Sequence, residues 1–305
     1  MTATLTRTSA DTTPTAARPP RRGGGLRRQR SMGRAGRAVT HAILLPLVFL
    51  WVYPYAWSMV SSIRPQAETL LGGASLIPDE LTFSNFERAW EQARFETYTT
   101  NTVIVTIAVV ILTIAISALA GYALGRGNMP GKKIIIGTLI VTMFLPKGFT
   151  IIPVFLLIDS LGINNSLWAV ILAEAGPAHI MPILLYIGYF ASIPRDLQEA
   201  ATVDGAGYVR TFWSVMFPMA RPVTATVAIF SFIGAWNAFL VPLVFTLSAP
   251  ELRTLGVGIY AFFGENSIDW GGLAAASVIA VVPVIAVFLW LQKYFVDGIA
   301  GSIKG

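Results

Sequence analysis

Hydrophobic positions in this chain fall into six long runs that carry almost no charge, with the polar residues gathered between them. The runs cover residues 42–61, 97–125, 134–158, 167–190, 222–247 and 273–292. Each is long enough to cross a hydrocarbon layer as a helix, which takes ~20 apolar residues. None alternates with a period of two, and Gly and Pro are scattered through them, so the pattern predicts spanning helices rather than strands. Pro146 and Lys147 interrupt the third run, and the fourth encloses Glu174 and His179. The expectation is an all-α integral membrane protein with six transmembrane helices, and an even number of spans places both ends on one side.

The segment between the fourth and fifth runs has more order than a connection needs. Pro194 suits the first turn of a helix, where its missing N–H is not required. Glu199-Ala200-Ala201-Thr202-Val203-Asp204-Gly205 follows, and Gly205 can take the left-handed conformation that stops one helix and redirects the chain. Val209, Phe212, Trp213, Met216 and Phe217 then recur at the spacing of a single helical face. Pro218 is expected to end that helix. The segment 191–218 is therefore predicted to be a helix, a glycine turn and a second amphipathic helix.

Charge fixes the sidedness. Residues 1–40 hold nine arginines against a single acid, Asp11, and little to bury, so they are expected to form a disordered basic tail. An uncleaved first span is favoured over a signal peptide, because the tail is long and no small-residue cleavage site follows Trp57. With the tail inside, Arg126, Lys132, Lys133, Arg195, Arg210, Arg221, Lys293 and Lys304 also fall inside. Only Arg64, Arg88, Arg94, Arg253 and Lys147 lie elsewhere. Glu68, Asp79, Glu80, Glu87, Glu91 and Glu96 all fall in the first outer connection. This asymmetry puts both termini and the 191–218 segment in the cytoplasm.

The net charge of +6 therefore reflects membrane sidedness, and nucleic acid is not an expected partner. Charged residues make up 12% of the chain, about half the share usual in soluble domains, while apolar residues make up 54%. There is no cysteine, which excludes disulfides and thiolate metal sites, and two histidines argue against a histidine-rich metal site. The outer residues 81–90 read as a turn entering a short amphipathic helix, expected to lie on the membrane surface anchored by Phe86 and Trp90.

Glu199-Ala200-Ala201, three residues, Gly205, nine residues, Val215, a spacer, Phe217 and Pro218 together resemble the EAA loop of ABC importer permeases, with Phe217 in place of the usual Leu. Further stretches extend the resemblance to the carbohydrate-type permeases, in particular the shorter subunit of systems related to maltose and glycerol-phosphate importers. They are Asn101-Thr102-Val103, Gly121-Tyr122-Ala123-Leu124-Gly125-Arg126, Ile193 to Gln198, Ala235-Trp236-Asn237-Ala238-Phe239 and the glycine-rich end from Gly298 to Gly305. The resemblance implies the type I importer fold and this division: 1–40 a cytoplasmic tail; 41–96 the first span and outer loop; 97–294 the permease domain, with its coupling loop at 191–218; and 295–305 a cytoplasmic C-terminal tail.

It also implies a multi-pass subunit of a prokaryotic plasma membrane that transports a sugar, an oligosaccharide or a glycerol-phosphate-like solute. Its implied partners are a second permease, two ATPase subunits that bind the ATP, and an extracytoplasmic sugar-binding protein. The chain itself would hold no cofactor or metal and catalyse no bond chemistry.

Glu199, Ala200, Ala201, Asp204, Gly205 and Pro218 are then the candidate ATPase-coupling residues, Glu199 to pair with a partner's base and the alanines to permit close approach. Trp236 and Asn237 are candidates for the translocation path, where an aromatic face and an amide suit a sugar ring; an interhelical hydrogen bond is the alternative. The outer connection 248–272, rich in aromatic and charged residues, is implied to reach toward the binding protein.

Lys147 and Glu174 are ionisable residues at membrane depth and need a wet cavity or each other. A secondary transporter using them as an ion or proton relay is the competing function. Such transporters usually carry paired repeats, which are not evident here. A membrane-embedded enzyme would need convergent acid, base or metal residues, and no H-E-x-x-H, G-x-S-x-G or phosphate-binding glycine loop occurs. Gly121 and Gly125 form a G-x-x-x-G of the kind that permits close helix packing.

Overall fold

The computed structural model describes residues 34–302, apart from 72, 74, 93, 177–178 and 265–267. Its described residues are helical, with turns and a single antiparallel bridge between Phe263 and Ile268. In chain order the helices are α1 (Arg34–Ser62), α2 (Gln66–Leu71), α3 (Ser84–Gln92), α4 (Phe95–Arg126), α5 (Lys132–Thr142), α6 (Ile151–Ser160), α7 (Leu167–Ala175) and α8 (Ile180–Ser192). There follow α9 (Asp196–Val203), α10 (Tyr208–Thr211), α11 (Phe217–Met219), α12 (Arg221–Trp236), α13 (Leu240–Phe245), α14 (Leu255–Gly258) and α15 (Trp270–Ser302).

The chain divides into two compact units, 1–51 and 52–305. In the first, Ile43, Leu45, Phe49, Leu50 and Trp51 are all more than half exposed, as an all-round apolar helix in lipid requires. Residues 34–40, expected as the end of the tail, are already helical in α1. Arg37 and Ala38 are good helix formers, and the Thr40 hydroxyl donates 2.9 Å back to Gly36 O one turn earlier. Residues 1–33 lie outside the described residues.

In the second unit the core is strung along α4. Near its start, Phe95 and Tyr98 pack with Ala89, Leu255, Phe262 and Ala275. In its middle, Val105 and Val109 meet α7 and Phe245. Near its end, Ala118 and Tyr122 meet Tyr186, Phe190, Phe212 and Met216. The G-x-x-x-G is a true crossing point. A Cβ built on Gly121 would overlap that of Tyr186, and one on Gly125 would lie 3.2 Å from Ile187 O and Phe190 Cβ.

The expected spans are less continuous than their composition implies. Gly36–Ser62, Phe95–Arg126 and Trp270–Trp290 are unbroken and long enough to cross a membrane. The third is split at residues 143–150 into α5, a 3-10 turn (Lys147–Thr150) and α6, since Pro146 supplies no donor to a helical ladder. The fourth bends by 51° between α7 and α8. The fifth stops at Trp236 rather than 247: the Asn237 amide turns back to Ile233 O (2.8 Å), and α13 is a separate short helix. The stretch from 295, expected as a tail, continues α15 to Ser302.

The connection after α1 is also more built than expected. The buried Asn85 amide donates to Ser62 O (3.1 Å) and Arg64 O (2.7 Å), carbonyls that the end of a helix leaves without partners. Its Oδ1 accepts from Arg88 Nη2 at 2.7 Å, and Arg88 pairs with Asp269 at 3.0 Å. Thus α3 docks on the start of α15. Of its two expected anchors, only Trp90 is exposed; it stacks on Phe95.

Candidate functional site

The segment 191–218 forms the expected helix, turn and helix. Its first helix, α9, closes with Gly205 N–H donating to Thr202 O (3.0 Å) and Ala206 N–H to Ala201 O (2.9 Å), while Gly205 has φ +79°. That is the two-bond glycine cap which satisfies the last carbonyls of a helix. Pro194 stands two residues before α9 rather than within its first turn.

The second helix differs from the expectation in two respects. Residues Phe212–Met216 widen into a π-helical turn between α10 and α11, and Pro218 lies inside the helical run, which ends at Met219. A wider turn gives the proline ring room that a regular α-turn would deny it. The expected single face also divides: Phe212 and Met216 are buried with Tyr122, Tyr186 and Phe190, whereas Val209 and Trp213 are 68% and 51% exposed. Rephasing the helix by the π turn separates these side chains.

The candidate coupling residues are placed as follows. Glu199, Ala200, Asp204 and Gly205 are exposed, together with Val203, Tyr208 and Val209. Ala201 is buried against its own chain, so only Ala200 of the pair can meet a partner.

Arg126, expected as an inner-side charge and as the end of the Gly121–Arg126 stretch, also holds this loop. From the last residue of α4, Nε donates to Gln198 Oε1 (3.0 Å), Nη1 to Ile193 O (2.8 Å) and Nη2 to Pro194 O (2.9 Å). One turn earlier, Tyr122 packs its ring against Tyr208 (4.7 Å), Phe212 (5.2 Å) and Phe190 (5.5 Å). A polar groove of about 290 Å³ lies beside them, with Arg195, Glu199 and Thr202 in its wall. Its signal in the sequence was a basic residue closing a span directly after a helix-packing glycine.

A second candidate region is a cavity of about 300 Å³ at the α7–α8 bend. It is lined by Glu174 and His179 with Thr113, Ser231 and apolar residues of α4, α8 and α12. Glu174 is where membrane-depth polarity predicted a wet site. The Lys147 side chain lies outside the described residues, so the expected pair with Glu174 is not seen. Trp236 does not line this cavity. It is buried, stacks on Phe232 and donates Nε1–H to Ala280 O of α15 at 3.0 Å. An indole N–H at membrane depth must find an acceptor, and the neighbouring helix provides it. Asn237 is exposed at the end of α12, bonded to its own helix.

The connection 248–272 is held to the other end of α4. Asn101 donates to Glu251 O (2.8 Å) and Arg253 O (3.0 Å), and Thr102 Oγ1 accepts from Leu255 N–H (2.8 Å). Tyr260 and Phe263 remain exposed, Tyr260 stacked on Phe239 at 4.6 Å. Glu265 and Asn266 lie outside the described residues.

Comparison with known proteins agrees with this architecture. Residues 117–301 match the family described as Binding-protein-dependent transport system inner membrane component. The chain is 35% identical over 275 residues to the diacetylchitobiose uptake system permease protein NgcG of Streptomyces coelicolor, covering 90% of this chain and 89% of the relative. It is 34% identical over 232 residues to the melibiose/raffinose/stachyose import permease protein MelC of Bacillus subtilis, covering 75% and 84%. A chain of the solved bacterial ABC transporter for import of the acidic polysaccharide alginate superposes with TM-score 0.74 at 26% identity, covering 87% of this chain and 99% of that one. With its helix–glycine–helix loop fixed to the end of a spanning helix, this multi-pass chain belongs to the binding-protein-dependent inner-membrane components, the permease subunits of ABC importers.

Proposed function

We propose that this chain forms one half of the translocation path of a carbohydrate importer in a prokaryotic plasma membrane. A second permease supplies the other half. Two ATPase subunits dock from the cytoplasm, one of them on the 191–218 loop, and an extracytoplasmic sugar-binding protein delivers the solute. The observation that carries this reading is the loop itself: a glycine-capped helix pair fixed to α4, presenting Glu199, Ala200, Val203 and Val209 outward. Apolar side chains exposed beside a carboxylate on a rigid loop fit a protein partner. The relatives' named cargoes support an oligosaccharide, and the arginine distribution supports cytoplasmic termini. The cavity at Glu174 and His179 is this chain's share of the path, since ionisable groups at membrane depth mark solute routes.

Two outcomes test the reading. Gly205→Val and Glu199→Lys are each expected to reduce ATP-dependent oligosaccharide uptake by at least about tenfold while the chain still reaches the membrane. Nothing lies within 4 Å of a Cβ at Gly205, so the valine acts through backbone strain of about 1–2 kcal/mol at positive φ, not through crowding. Full uptake with undiminished ATPase recruitment in both variants would count against a coupling role for the loop. Separately, the purified chain has no G-x-x-x-x-G-K loop and is expected neither to bind nor to hydrolyse ATP by itself. Uptake by the chain alone in liposomes, driven by a proton gradient, would instead support a secondary transporter.

A further inference from the structure

Building on the coupling role proposed above, we propose that Arg126 is the positioning residue that makes the coupling loop move as one body with α4, and that α4 carries this movement to the outer segment 250–258.

The 32 residues of α4 give it a length of about 48 Å at ~1.5 Å per residue, more than the ~30 Å of hydrocarbon it crosses. The excess length lets both ends reach past the membrane core, and each holds a loop that belongs elsewhere in the chain. Of the six hydrophobic runs, its own is the only one without proline. Proline is the commonest cause of a sharp helix kink, and α4 is an unbroken helix.

At the inner end, the three Arg126 bonds fall on the junction between α8 and α9. Two of their acceptors, Ile193 O and Pro194 O, lie where one helix has ended and the next has not begun. A guanidinium offers donors in a fixed planar fork, so three simultaneous bonds set orientation as well as distance. Tyr122 fixes the other half of the loop by packing against Tyr208 and Phe212. Both halves are thus bound to a helix that is adjacent to neither in sequence. At the outer end, Asn101 and Thr102 hold the 251–255 backbone, and a Cβ on Gly258 would overlap the Tyr98 ring. Rigid helices bearing packed contacts at both ends shift as units.

The chain has no cysteine, so label pairs can be placed cleanly. Spin labels at Leu119→Cys on α4 and Asp196→Cys on α9, in the importer assembled with its permease and ATPase partners, are expected to give one narrow distance distribution. It should keep its width and position after trapping with ATP and vanadate. Arg126→Gln should broaden it, and Arg126→Lys, which keeps the charge but not the fork, should give an intermediate width. A control pair at Ile104→Cys and Met181→Cys should stay unchanged, showing that the bundle remains folded.

In the same preparations Arg126→Gln is expected to lower uptake about tenfold, in line with losing hydrogen bonds to a charged donor, while ATP hydrolysis continues. Asn101→Leu should reduce stimulation of hydrolysis by the external binding protein. A narrow distribution in Arg126→Gln, or preserved coupling despite a broad one, overturns the role of Arg126. Undiminished stimulation in Asn101→Leu overturns the outer link. Failure of the unmodified chain to assemble with any ATPase would contradict the importer reading instead, and the distances in the chain alone would still decide whether Arg126 holds the loop.

Discussion

Replacing Gly121 with leucine is expected to destabilise the helical bundle by forcing α4 and α8 apart. The position faces α8, and even a methyl group there would overlap the Tyr186 Cβ and lie 3.1 Å from its carbonyl carbon. These are atoms on or next to the backbone, so no rotamer change relieves the overlap and the two helices must separate. Overpacking of this kind costs about 1–3 kcal/mol, sometimes more. The displacement would also reach Phe190 and Tyr122, which anchor the coupling loop. The control is Gly234→Ala in α12, where a Cβ meets nothing within 4 Å. Removing an interior helix glycine there should be neutral or stabilising by about 1 kcal/mol. The two variants are compared by the temperature at which the detergent-solubilised chain loses its monodisperse elution profile. Equal midpoints for Gly121→Leu and the parent would show that the α4–α8 crossing tolerates a side chain.

The second large effect is expected at Asp269, whose carboxylate does two jobs. Oδ2 accepts from Arg88 Nε at 3.0 Å, and Oδ1 accepts from Gly272 N–H at 2.9 Å as the cap of α15. Burial by itself would raise the Asp269 carboxyl, but the Arg88 hydrogen bond and charge and the Gly272 and Gly271 amides hold it below the ordinary carboxylate value. A carboxyl lowered in the folded protein contributes stability above its unfolded pKa. That contribution disappears as pH falls through the lowered folded value. The parent should therefore lose thermal stability on acidification into and below the carboxylate range. Asp269→Asn should be less stable at neutral pH by about 1–2 kcal/mol, the modest figure reflecting partial exposure of the pair, and should lose less on acidification. The measurement is the unfolding midpoint as a function of pH. Identical pH profiles for parent and variant would show that this carboxylate does not support the outer cap.

Both effects concern contacts that the chain pattern signals weakly or not at all. The Gly121–Gly125 spacing was visible, yet that spacing is common by chance, and only the approach of α8 makes it necessary. Arg88 and Asp269 lie far apart in sequence, one read as part of a surface helix and the other as part of an aromatic loop. Asn85, which closes the end of α1 and meets Arg88, carried no pattern whatever. The Gly205 turn was legible because its cause is local: a helix of eight residues needs a residue with positive φ to release its last carbonyls. Pro218 misled because the π turn before it is set by seating Phe212 and Met216 among Tyr122, Tyr186 and Phe190, partners that sequence spacing cannot identify. The motif around Trp236 left a solute-path role and an interhelical hydrogen bond open, and the indole N–H donates to Ala280 O.

From the sequence alone came the properties that depend on short-range or summed physics. Six apolar runs follow from the cost of bare peptide groups in lipid. The expected sidedness rests on where the arginines and lysines lie, and the helix–glycine–helix loop follows from backbone preference at Gly205. Tertiary structure alone decided where three of the spans break or bend, which face of the second loop helix is buried, and that Arg126 and Tyr122 of α4 are the residues that meet the loop. The physical reason is that composition and local spacing fix which backbone states are accessible in a membrane. The choice of acceptor for a guanidinium, an indole or an amide depends on which carbonyls distant helices leave without partners.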